Sequence, residues 1–360
     1  MDKLRVVVCG TTFGRIYAAG IRRLPAHYEL VAMLSRGSEQ SYEFASEQGV
    51  PLCTRIEDLP EADMACVVVR SGIVGGSGSQ LAQRFLAAGK HVTLEHPIHH
   101  NDVVECYRAA ARSGRRFFVN AFYRHSSTIK EYLKLVEVLR AEYGIIYIQA
   151  ECSVHFLFSM LDMLGRITGG FTPWHLGRED SDSGVFTTVS GSFRGTPITL
   201  RVVNKMNPSS PDDFVHVSHR LTVFTAAGNL VLTETDGQIV WHPNLASPRD
   251  SQGVLEVGAD ERLTSASLHE AFSVETGVTR RTQVEHIWPS AIAEFLALVH
   301  HEIGQQAPSP RDAEYTLALC SVWAHAGQLI GPSHVLGSEL APNSVSLSQL
   351  RERAAQGARR

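Results

Sequence analysis

The fold is decided by the run LRVVVC at residues 4–9 and by the turn GTTFG that follows it at residues 10–14. An uninterrupted run rich in β-branched residues is typical of a strand that is covered on both faces, as in a parallel sheet. After the turn comes an amphipathic stretch at residues 15–24, which Pro25 ends. This order predicts a strand, a tight turn and a helix at the start of a doubly wound domain.

The same alternation continues to about residue 120. Further buried strands are predicted at 28–34, 64–69, 91–95 and 117–120, and helices at 39–48, 80–89 and 102–113. Strands that alternate with helices of this length indicate βαβ units and a parallel sheet. We therefore assign residues 1–122 to a doubly wound Rossmann domain that binds a dinucleotide.

From residue 144 onward, apolar residues recur with a period of two. Strands are predicted at 145–152, 185–193, 197–204, 219–226 and 229–234, with turns such as Ala227-Gly228 and Asp236-Gly237 between them. This pattern is typical of a mostly antiparallel sheet. Helices near 288–303 and 311–330 are expected to return and brace the two domains. We assign residues 123–349 to an α+β domain for substrate binding and dimerisation, and 350–360 to a frayed polar tail.

Composition excludes several classes of protein. The chain has 360 residues, which favours two domains, and 33 Lys and Arg against 37 Asp and Glu give a net charge of −4. No basic stripe indicates a nucleic-acid partner, and no apolar stretch reaches the roughly 18 residues of a membrane span. The start lacks the pattern of a signal peptide, and the six cysteines form no CxxC pair. We expect a reduced, cytoplasmic protein.

The turn after the first strand is the predicted pyrophosphate site, with Gly10, Thr11, Thr12, Phe13 and Gly14 as its residues. Backbone N–H groups and a helix N-terminus favour a phosphate there. The usual G-x-G-x-x-G pattern is altered, because Thr12 and Arg15 replace its second and third glycines. A tight turn without a ligand is the alternative.

The end of the second strand predicts the choice of cofactor. An enzyme selective for NAD carries an Asp or Glu here to bind the ribose 2′-hydroxyl. This chain has Ser35, Arg36, Gly37 and Ser38, whose guanidinium and hydroxyls suit a 2′-phosphate. We therefore predict NADP(H). The alternative is that Arg36 is simply a solvated loop residue.

The segment Glu95-His96-Pro97 follows the strand HVTLE, where the glucose-fructose oxidoreductase/inositol dehydrogenase family has Glu-Lys-Pro. The first half of the chain resembles that family, and its thiazolinyl imine reductase branch has histidine in place of the lysine. Further segments resemble this branch, at 8–17, 67–82, 94–102, 119–125 and 161–170. The run of small residues after Arg70-Ser71 is especially typical of it. We assign Arg70, Ser71, Glu95 and His96 to the cofactor site as well.

The resemblance implies an activity and a partner. The activity is reduction of a thiazoline to a thiazolidine by NADPH during nonribosomal siderophore synthesis, on an intermediate tethered to a carrier protein of the synthetase. In the resembling enzymes, the positions of His96 and Tyr123 are the proposed general acids. A homodimer formed through the second sheet is expected by analogy.

The residues themselves are consistent with this chemistry. Reduction of C=N requires a hydride at carbon and a proton at nitrogen, and nicotinamide supplies only the hydride. His96 and Tyr123 follow neighbouring strands, whose carboxyl ends open into one crevice. Imidazole, with an ordinary pKa of about 6.5, is a good donor near neutrality, whereas a tyrosine needs a nearby cation. We expect a shared role, in which one residue donates and the other orients or relays.

Other interpretations remain open. His96 can be a simple strand-end residue, and Tyr123 a core aromatic. His99 and His100 are expected to cap or solvate the next helix, so no metal site is predicted. Ser159 and Asp162 lie on a helix that approaches the substrate in related folds, and Trp174, His175 and Trp288 are candidates for an aromatic pocket floor. A sugar or polyol dehydrogenase is the alternative enzyme, and an inactive cofactor-binding sensor is the alternative outside catalysis.

Overall fold

The first sheet is built from parallel strands only, in the Rossmann order β3-β2-β1-β4-β5-β6 once the strands are numbered along the chain. The strands are β1 (Leu4–Cys9), β2 (Tyr28–Leu34), β3 (Leu52–Cys53), β4 (Met64–Val67), β5 (His91–Glu95) and β6 (Phe117–Asn120). The computed structural model describes residues 3–69, 77–180, 184–207, 215–247, 249–255, 267–305, 309–336 and 344–357. Val6, Val7 and Val8 have no exposed surface, because helices cover both faces of the sheet.

Helices join these strands and pack on both faces of the sheet. They are α1 (Gly14–Arg22), α2 (Glu39–Glu47), α3 (Gly78–Ala87) and α4 (His100–Ser113). The sequence-based positions agree to within a few residues, except that the two-residue strand β3 was not predicted. It is too short to show a period, and it pairs with β2 only through residues 33 and 34.

The second sheet has eight strands in the order β15-β14-β13-β12-β7-β10-β9-β8. Its strands are β7 (Tyr147–Ser153), β8 (Trp174–Arg178), β9 (Thr187–Phe193), β10 (Thr196–Val203), β12 (Arg220–Thr225), β13 (Gly228–Leu232), β14 (Ile239–Pro243) and β15 (Glu270–Phe272). Neighbouring strands are antiparallel except β7 and β10, which pair in parallel. The prediction of an α/β protein with a mostly antiparallel second sheet is confirmed. A separate small sheet pairs β11 (Lys205–Met206) with β16 (His334–Val335).

One face of the eight-stranded sheet is covered by helices. These are α5 (Ser127–Tyr143), α6 (Leu157–Thr168) and part of α8 (Pro310–Ile330). Along β7 the residues Ile148, Ala150 and Cys152 are buried beneath them, whereas Tyr147, Gln149 and Glu151 point to the other face. The sequence analysis assigned no element to α5, whose apolar face is interrupted by Thr128 and Tyr132.

Two helices return to the first domain, as expected. α7 (Trp288–Gly304) packs on α1. It also contacts β2, whose first residue Tyr28 donates a hydrogen bond to the Leu296 carbonyl at 2.7 Å. α8 contacts α4, because Ser321 Oγ lies 2.9 Å from His100 Nδ1. Residues 347–357, most of which belong to the predicted polar tail, form helix α9 (Leu347–Gly357). No helix among the described residues is long and apolar enough to cross a membrane.

Candidate active site

His96 lies directly after β5, and its ring has one engaged and one free nitrogen. Nδ1 is 2.9 Å from the backbone oxygen of Asn120 and 2.9 Å from Glu95 Oε1. Both partners are acceptors, so Nδ1 carries a hydrogen. Nε2 has no hydrogen-bond partner among the residues that the structure describes. The ring stacks on Phe158, with centroids 5.3 Å apart. This histidine can therefore present Nε2 to a ligand. The peptide bond between His96 and Pro97 is cis.

Glu95 is held from the other side by two buried residues. Its Oε2 accepts hydrogen bonds from the Tyr17 hydroxyl and from Asn120 Nδ2, the latter at 3.1 Å. Asn120 Nδ2 also reaches the Tyr17 oxygen at 2.8 Å. Burial, and then the Glu95 charge, raise the pKa of Tyr17 well above its ordinary value. Tyr17 therefore remains a neutral donor. Glu95 was predicted to bind the cofactor, and in the structure protein groups contact both of its carboxylate oxygens.

Tyr123 follows β6 through a strained turn. Phe122 has a φ of 58° and a ψ of −73°, and Tyr123 N donates to the Ala121 carbonyl at 2.8 Å. This is a γ-turn with positive φ, which a phenylalanine adopts only at a cost of about 1–3 kcal/mol. Phe122 N–H is bound by Asn120 Oδ1 at 2.9 Å. The turn places the Tyr123 ring 4.7 Å from the His219 ring.

His219 is fully buried beside the two candidate acids. Its Nε2 lies 2.7 Å from Ser159 Oγ, and its Nδ1 lies 2.9 Å from Thr235 Oγ1. Burial, with a smaller contribution from His96, lowers the pKa of His219 to about 3. His219 is therefore neutral near pH 7 and does not supply the cation that a tyrosine donor needs.

Asp162, on the helix that approaches the substrate in related folds, is part of a buried ion-pair cluster. It is 1% exposed, and its Oδ1 lies 3.4 Å from Arg124 Nη1 and 3.6 Å from Arg166 Nε. Tyr315 donates to the Asp162 carbonyl at 2.7 Å. Arg124 belongs to the helical turn that contains Tyr123. Asp162 thus anchors the segment that carries a candidate acid.

The nucleotide turn meets the requirements of a dinucleotide site. Gly10 has a φ of 99°, and a Cβ there would lie 2.5 Å from the Val68 carbonyl oxygen. Gly14 packs closely on β1, because a Cβ there would lie 3.1 Å from Val8. Thr12 is exposed, at the end of α1 that offers free N–H groups. The residues therefore fit a pyrophosphate, despite the altered glycine pattern.

The predicted 2′-phosphate residues lie together at the end of β2. Arg36 is exposed and has no hydrogen-bond or ion-pair partner within the described ranges. Ser35 Oγ accepts from Gly37 N–H at 3.2 Å, and Ser38 caps α2 through Ser41 N–H at 3.3 Å. Ser41 Oγ also links Ser38 Oγ to Thr11 Oγ1, at 2.8 and 2.7 Å. These hydroxyls connect the two halves of the predicted nucleotide site.

Arg15 is a basic residue that sequence reasoning treated only as a lost glycine. Its guanidinium donates to the Thr11 carbonyl at 3.0 Å and to the Gln40 carbonyl at 3.3 Å, above the Phe44 ring. It therefore bridges the starts of α1 and α2, beside the hydroxyl chain. Its position within the turn motif was the only available signal, because the contact with Gln40 arises in the fold.

The remaining candidates divide into two groups. Trp288 joins the site, since its ring lies 5.7 Å from Phe13 and 5.9 Å from Phe122. Trp174 and His175 lie on the terminal strand β8, where Trp174 contacts His325. His99 contacts Trp323 of α8, and His100 contacts Ser321 of the same helix. The His99 side chain, at the N-cap position, makes no capping hydrogen bond to α4. Arg70 and Ser71 lie outside the described residues. Within those residues, no cluster of three metal-ligating side chains is found.

Fold and site together define a two-domain protein whose Rossmann domain carries the turn of a dinucleotide site. Residues 4–121 match the family GFO_IDH_MocA, described as an oxidoreductase family with an NAD-binding Rossmann fold. This match covers the Rossmann domain, about a third of the chain. Residues 145–242 match a model described as thiazolinyl imine reductase Irp3-like, C-terminal. A comparison with curated proteins found no significant match.

Solved structures show the same fold over nearly the whole chain. UDP-N-acetylglucosamine 3-dehydrogenase GnnA from Acidithiobacillus ferrooxidans is 14% identical, with a TM-score of 0.63 and coverage of 92% of this chain and 98% of that one. The WlbA dehydrogenase from Bordetella pertussis, solved with NADH and UDP-GlcNAcA, is 13% identical, with a TM-score of 0.64 and coverage of 91% and 96%. GenD2 from gentamicin A biosynthesis, in complex with NAD, has a TM-score of 0.62 at 13% identity and covers 92% and 95%.

Proposed function

We propose that this protein is an NADPH-dependent thiazolinyl imine reductase. The observation that carries the proposal is the match of residues 145–242 to the Irp3-like domain. That region contributes His219, which lies against Tyr123, and Ser159, which hydrogen-bonds to His219. His96 Nε2 has no hydrogen-bond partner among the described residues, and no lysine takes the position of this histidine. A proton donor that is not a primary amine suits protonation of an imine nitrogen, because it cannot condense with the substrate.

The residues divide the chemistry in a simple way. When bound, reduced nicotinamide supplies a hydride to the imine carbon. His96 in its charged form gives its Nε2 proton to the imine nitrogen, so that C=N becomes CH–NH. The neutral ring that remains keeps its hydrogen on Nδ1, still bonded to the Asn120 carbonyl and facing Glu95. Tyr123 orients the substrate or relays the proton from its place over His219.

Preference for NADPH is supported by the charge around the second strand. Arg36 is free to pair with a 2′-phosphate, and Arg15 lies across the same crevice at the start of α2. The N-terminus of α2 adds N–H groups that favour an anion. No carboxylate follows β2 directly, where NAD-selective enzymes bind the ribose.

The proposed substrate is a thiazoline tethered to a carrier domain of a nonribosomal peptide synthetase in siderophore synthesis. Support comes from an aromatic wall formed by the half-buried Phe13 and Trp288, with Arg280 placed 5.0 Å above the Trp288 ring. An aryl heterocycle would stack on such a wall.

A cytoplasmic homodimer is proposed through the sheet face that bears Glu151, which pairs with Arg201 and Arg220. Light scattering of the purified chain tests the dimer.

The activity test follows NADPH absorbance after addition of a synthetic aryl-thiazoline thioester, with NADH in parallel. We expect oxidation that requires the thiazoline and is faster with NADPH. A saturated thiazolidine analogue is the matched control and gives no oxidation. If NADPH binds but neither the free mimic nor a carrier-loaded thiazoline is reduced, the proposed reaction is wrong.

A sugar or polyol dehydrogenase is the second candidate. It is favoured by the names of similar structures, which include UDP-N-acetylglucosamine 3-dehydrogenase and levoglucosan dehydrogenase. Reduction of NADP⁺ by one of a panel of sugars and nucleotide sugars, in the absence of thiazoline reduction, would establish this alternative. A protein that binds NADPH but turns over neither substrate class would indicate the non-catalytic sensor.

A further inference from the structure

Behind His96 lies a buried network that the proposed proton transfer does not itself use. It comprises Tyr17 of α1, Glu95 of β5 and Asn120 of β6, which come from three separate elements. Tyr17 is 1% exposed and Asn120 is completely buried. A buried network whose polar groups are fully satisfied holds its members in one arrangement. The network therefore fixes the geometry of whatever it contacts.

Asn120 contacts His96 and the turn that precedes Tyr123 through different atoms. Its backbone oxygen accepts from His96, at 2.9 Å from Nδ1 and 3.2 Å from the backbone nitrogen. Its Oδ1 accepts from Phe122 N–H, which supports the strained turn before Tyr123. Its Nδ2 donates to Glu95 Oε2 and to the Tyr17 oxygen. One buried amide thus links the placement of His96 to that of Tyr123.

We propose that Tyr17 and Asn120 are positioning residues that act through Glu95 to fix the tautomer of His96. They occupy Glu95 Oε2, so that Oε1 faces His96 Nδ1 at 2.9 Å. A ring that carries its hydrogen on Nδ1 leaves Nε2 as the nitrogen that exchanges a proton with the substrate. Without these two donors, the carboxylate is free to rotate away, which leaves Nδ1 with the Asn120 carbonyl alone and weakens the preference for a hydrogen on that nitrogen. The effect on turnover rests on the proposed function, whereas the tautomer does not.

The first experiment measures the tautomer directly. Nitrogen-15 spectra of histidine-labelled full-length protein, in alkaline solution, distinguish Nδ1–H from Nε2–H in neutral imidazole. The His96 signals are assigned by their loss in His96→Asn. We expect wild type to carry the hydrogen on Nδ1. Tyr17→Phe, which removes only the donor to Glu95, and Asn120→Asp, which keeps the acceptor for Phe122 N–H, are expected to give a mixture of tautomers.

The second experiment measures turnover and cofactor binding of the same variants. Tyr17→Phe is expected to lower kcat about tenfold, as for one lost hydrogen bond to a charged group, with the NADPH dissociation constant within about twofold. Tyr28→Phe is the matched control. It also removes a buried tyrosine hydroxyl, which bonds the Leu296 carbonyl and not Glu95, and it is expected to change neither tautomer nor kcat.

Two results overturn the inference. One is an Nε2–H tautomer in wild type, and the other is an unchanged Nδ1–H tautomer in both Tyr17→Phe and Asn120→Asp. Loss of the tautomer preference in Tyr17→Phe alone supports it, even if Asn120→Asp does not fold. Absence of thiazoline reduction in wild type would refute the proposed function but leave the tautomer result standing.

Discussion

At the scale of single residues, the two candidate acids His96 and Tyr123 have different surroundings in the folded protein. His96 has a carboxylate beside Nδ1 and an unoccupied Nε2, which together suit an imidazolium that donates a proton. Tyr123 is packed against Phe122, Phe156 and the neutral His219. The two residues therefore have different surroundings, and they are not interchangeable.

This difference predicts unequal effects of substitution. His96→Asn is expected to reduce kcat for thiazoline reduction by about 10²–10⁴-fold, the range for loss of a general acid. Tyr123→Phe is expected to cost only about tenfold, because the hydroxyl orients or relays. Fluorescence titration with NADPH should show unchanged affinity in both variants. A larger loss in Tyr123→Phe than in His96→Asn would instead assign the donor to the tyrosine.

The two arginines at the nucleotide crevice give a second prediction. Arg36→Ala is expected to weaken NADPH binding at least about tenfold while leaving NADH binding nearly unchanged, because only NADPH carries the 2′-phosphate. Arg15→Met should weaken NADPH binding in the same direction. Arg108→Ala, at an exposed arginine of α4 paired with Glu105, is the matched control. Equal losses for NADPH and NADH in Arg36→Ala would contradict the phosphate assignment.

At the scale of elements, the nucleotide domain depends on a helix supplied by the far end of the chain. α7 approaches α1 so closely that a Cβ at Gly20 would lie 2.6 Å from Ile292 Cγ2 and 3.2 Å from the Pro289 carbonyl. Phe295 and Leu296 of α7 are buried in the same cluster as Tyr17 and Ile21 of α1. The helix that carries Tyr17 is therefore held in place by the α7 contact.

Gly20→Ala tests that contact. Overpacking of this kind costs about 1–3 kcal/mol, so we expect a lower free energy of unfolding in urea. The matched control is Gly327→Ala in α8, where an added Cβ meets nothing within 4 Å. Because alanine is the better helix former, that variant should be unchanged or more stable by up to about 1 kcal/mol. Equal stability of the two variants would show that α1 and α7 do not pack as described.

At the scale of the whole molecule, both domains bury histidines that must stay neutral. Burial lowers the pKa of His91, in the first sheet, to about 4, with Arg115 and Arg116 adding to the effect. His219, in the second domain, has a pKa of about 3. Burial also lowers the pKa of His125, between the two domains, well below its ordinary value. The folded protein therefore resists taking up protons that the unfolded chain accepts.

These shifts predict acid sensitivity with a definite sign. The unfolded histidines bind protons below about pH 6.5, whereas the folded ones do so only near pH 3 to 4. Stability is therefore lost as the pH falls from about 6.5 toward 4, by about 1.4 kcal/mol per pH unit for each such histidine. Urea unfolding at a series of pH values measures this slope.

His219→Gln isolates one contribution. Below pH 6.5, the slope of the unfolding free energy against pH should decrease by the contribution of one proton, about 1.4 kcal/mol per pH unit. We expect this even though the variant is less stable overall. Tyr28→Phe loses a buried hydrogen bond without a group that titrates in this range, so its slope should equal that of wild type. An unchanged slope in His219→Gln would mean that this histidine is not held neutral by the fold.

The sequence alone was sufficient for the local features of this protein. Strands such as β1 and helices such as α4 were predictable, because hydrophobic periodicity and turn residues act over a few positions. The change of period at residue 144 separated a parallel from a mostly antiparallel sheet. The parallel order of the strands also indicated that His96 and Tyr123 open into one crevice. The NADP preference and the catalytic roles of these residues remain predictions.

The tertiary structure decided which distant groups meet. Tyr17 reaches Glu95 across 78 positions, and Arg15 reaches Gln40 only because α1 and α2 start side by side. The parallel pairing of β7 with β10 and the return of α7 to α1 are likewise long-range. Hydrogen-bond partners depend on register and packing, which leave no periodic pattern in the chain. The tautomer of His96 is therefore a property of the folded molecule, although every residue that sets it is present in the sequence.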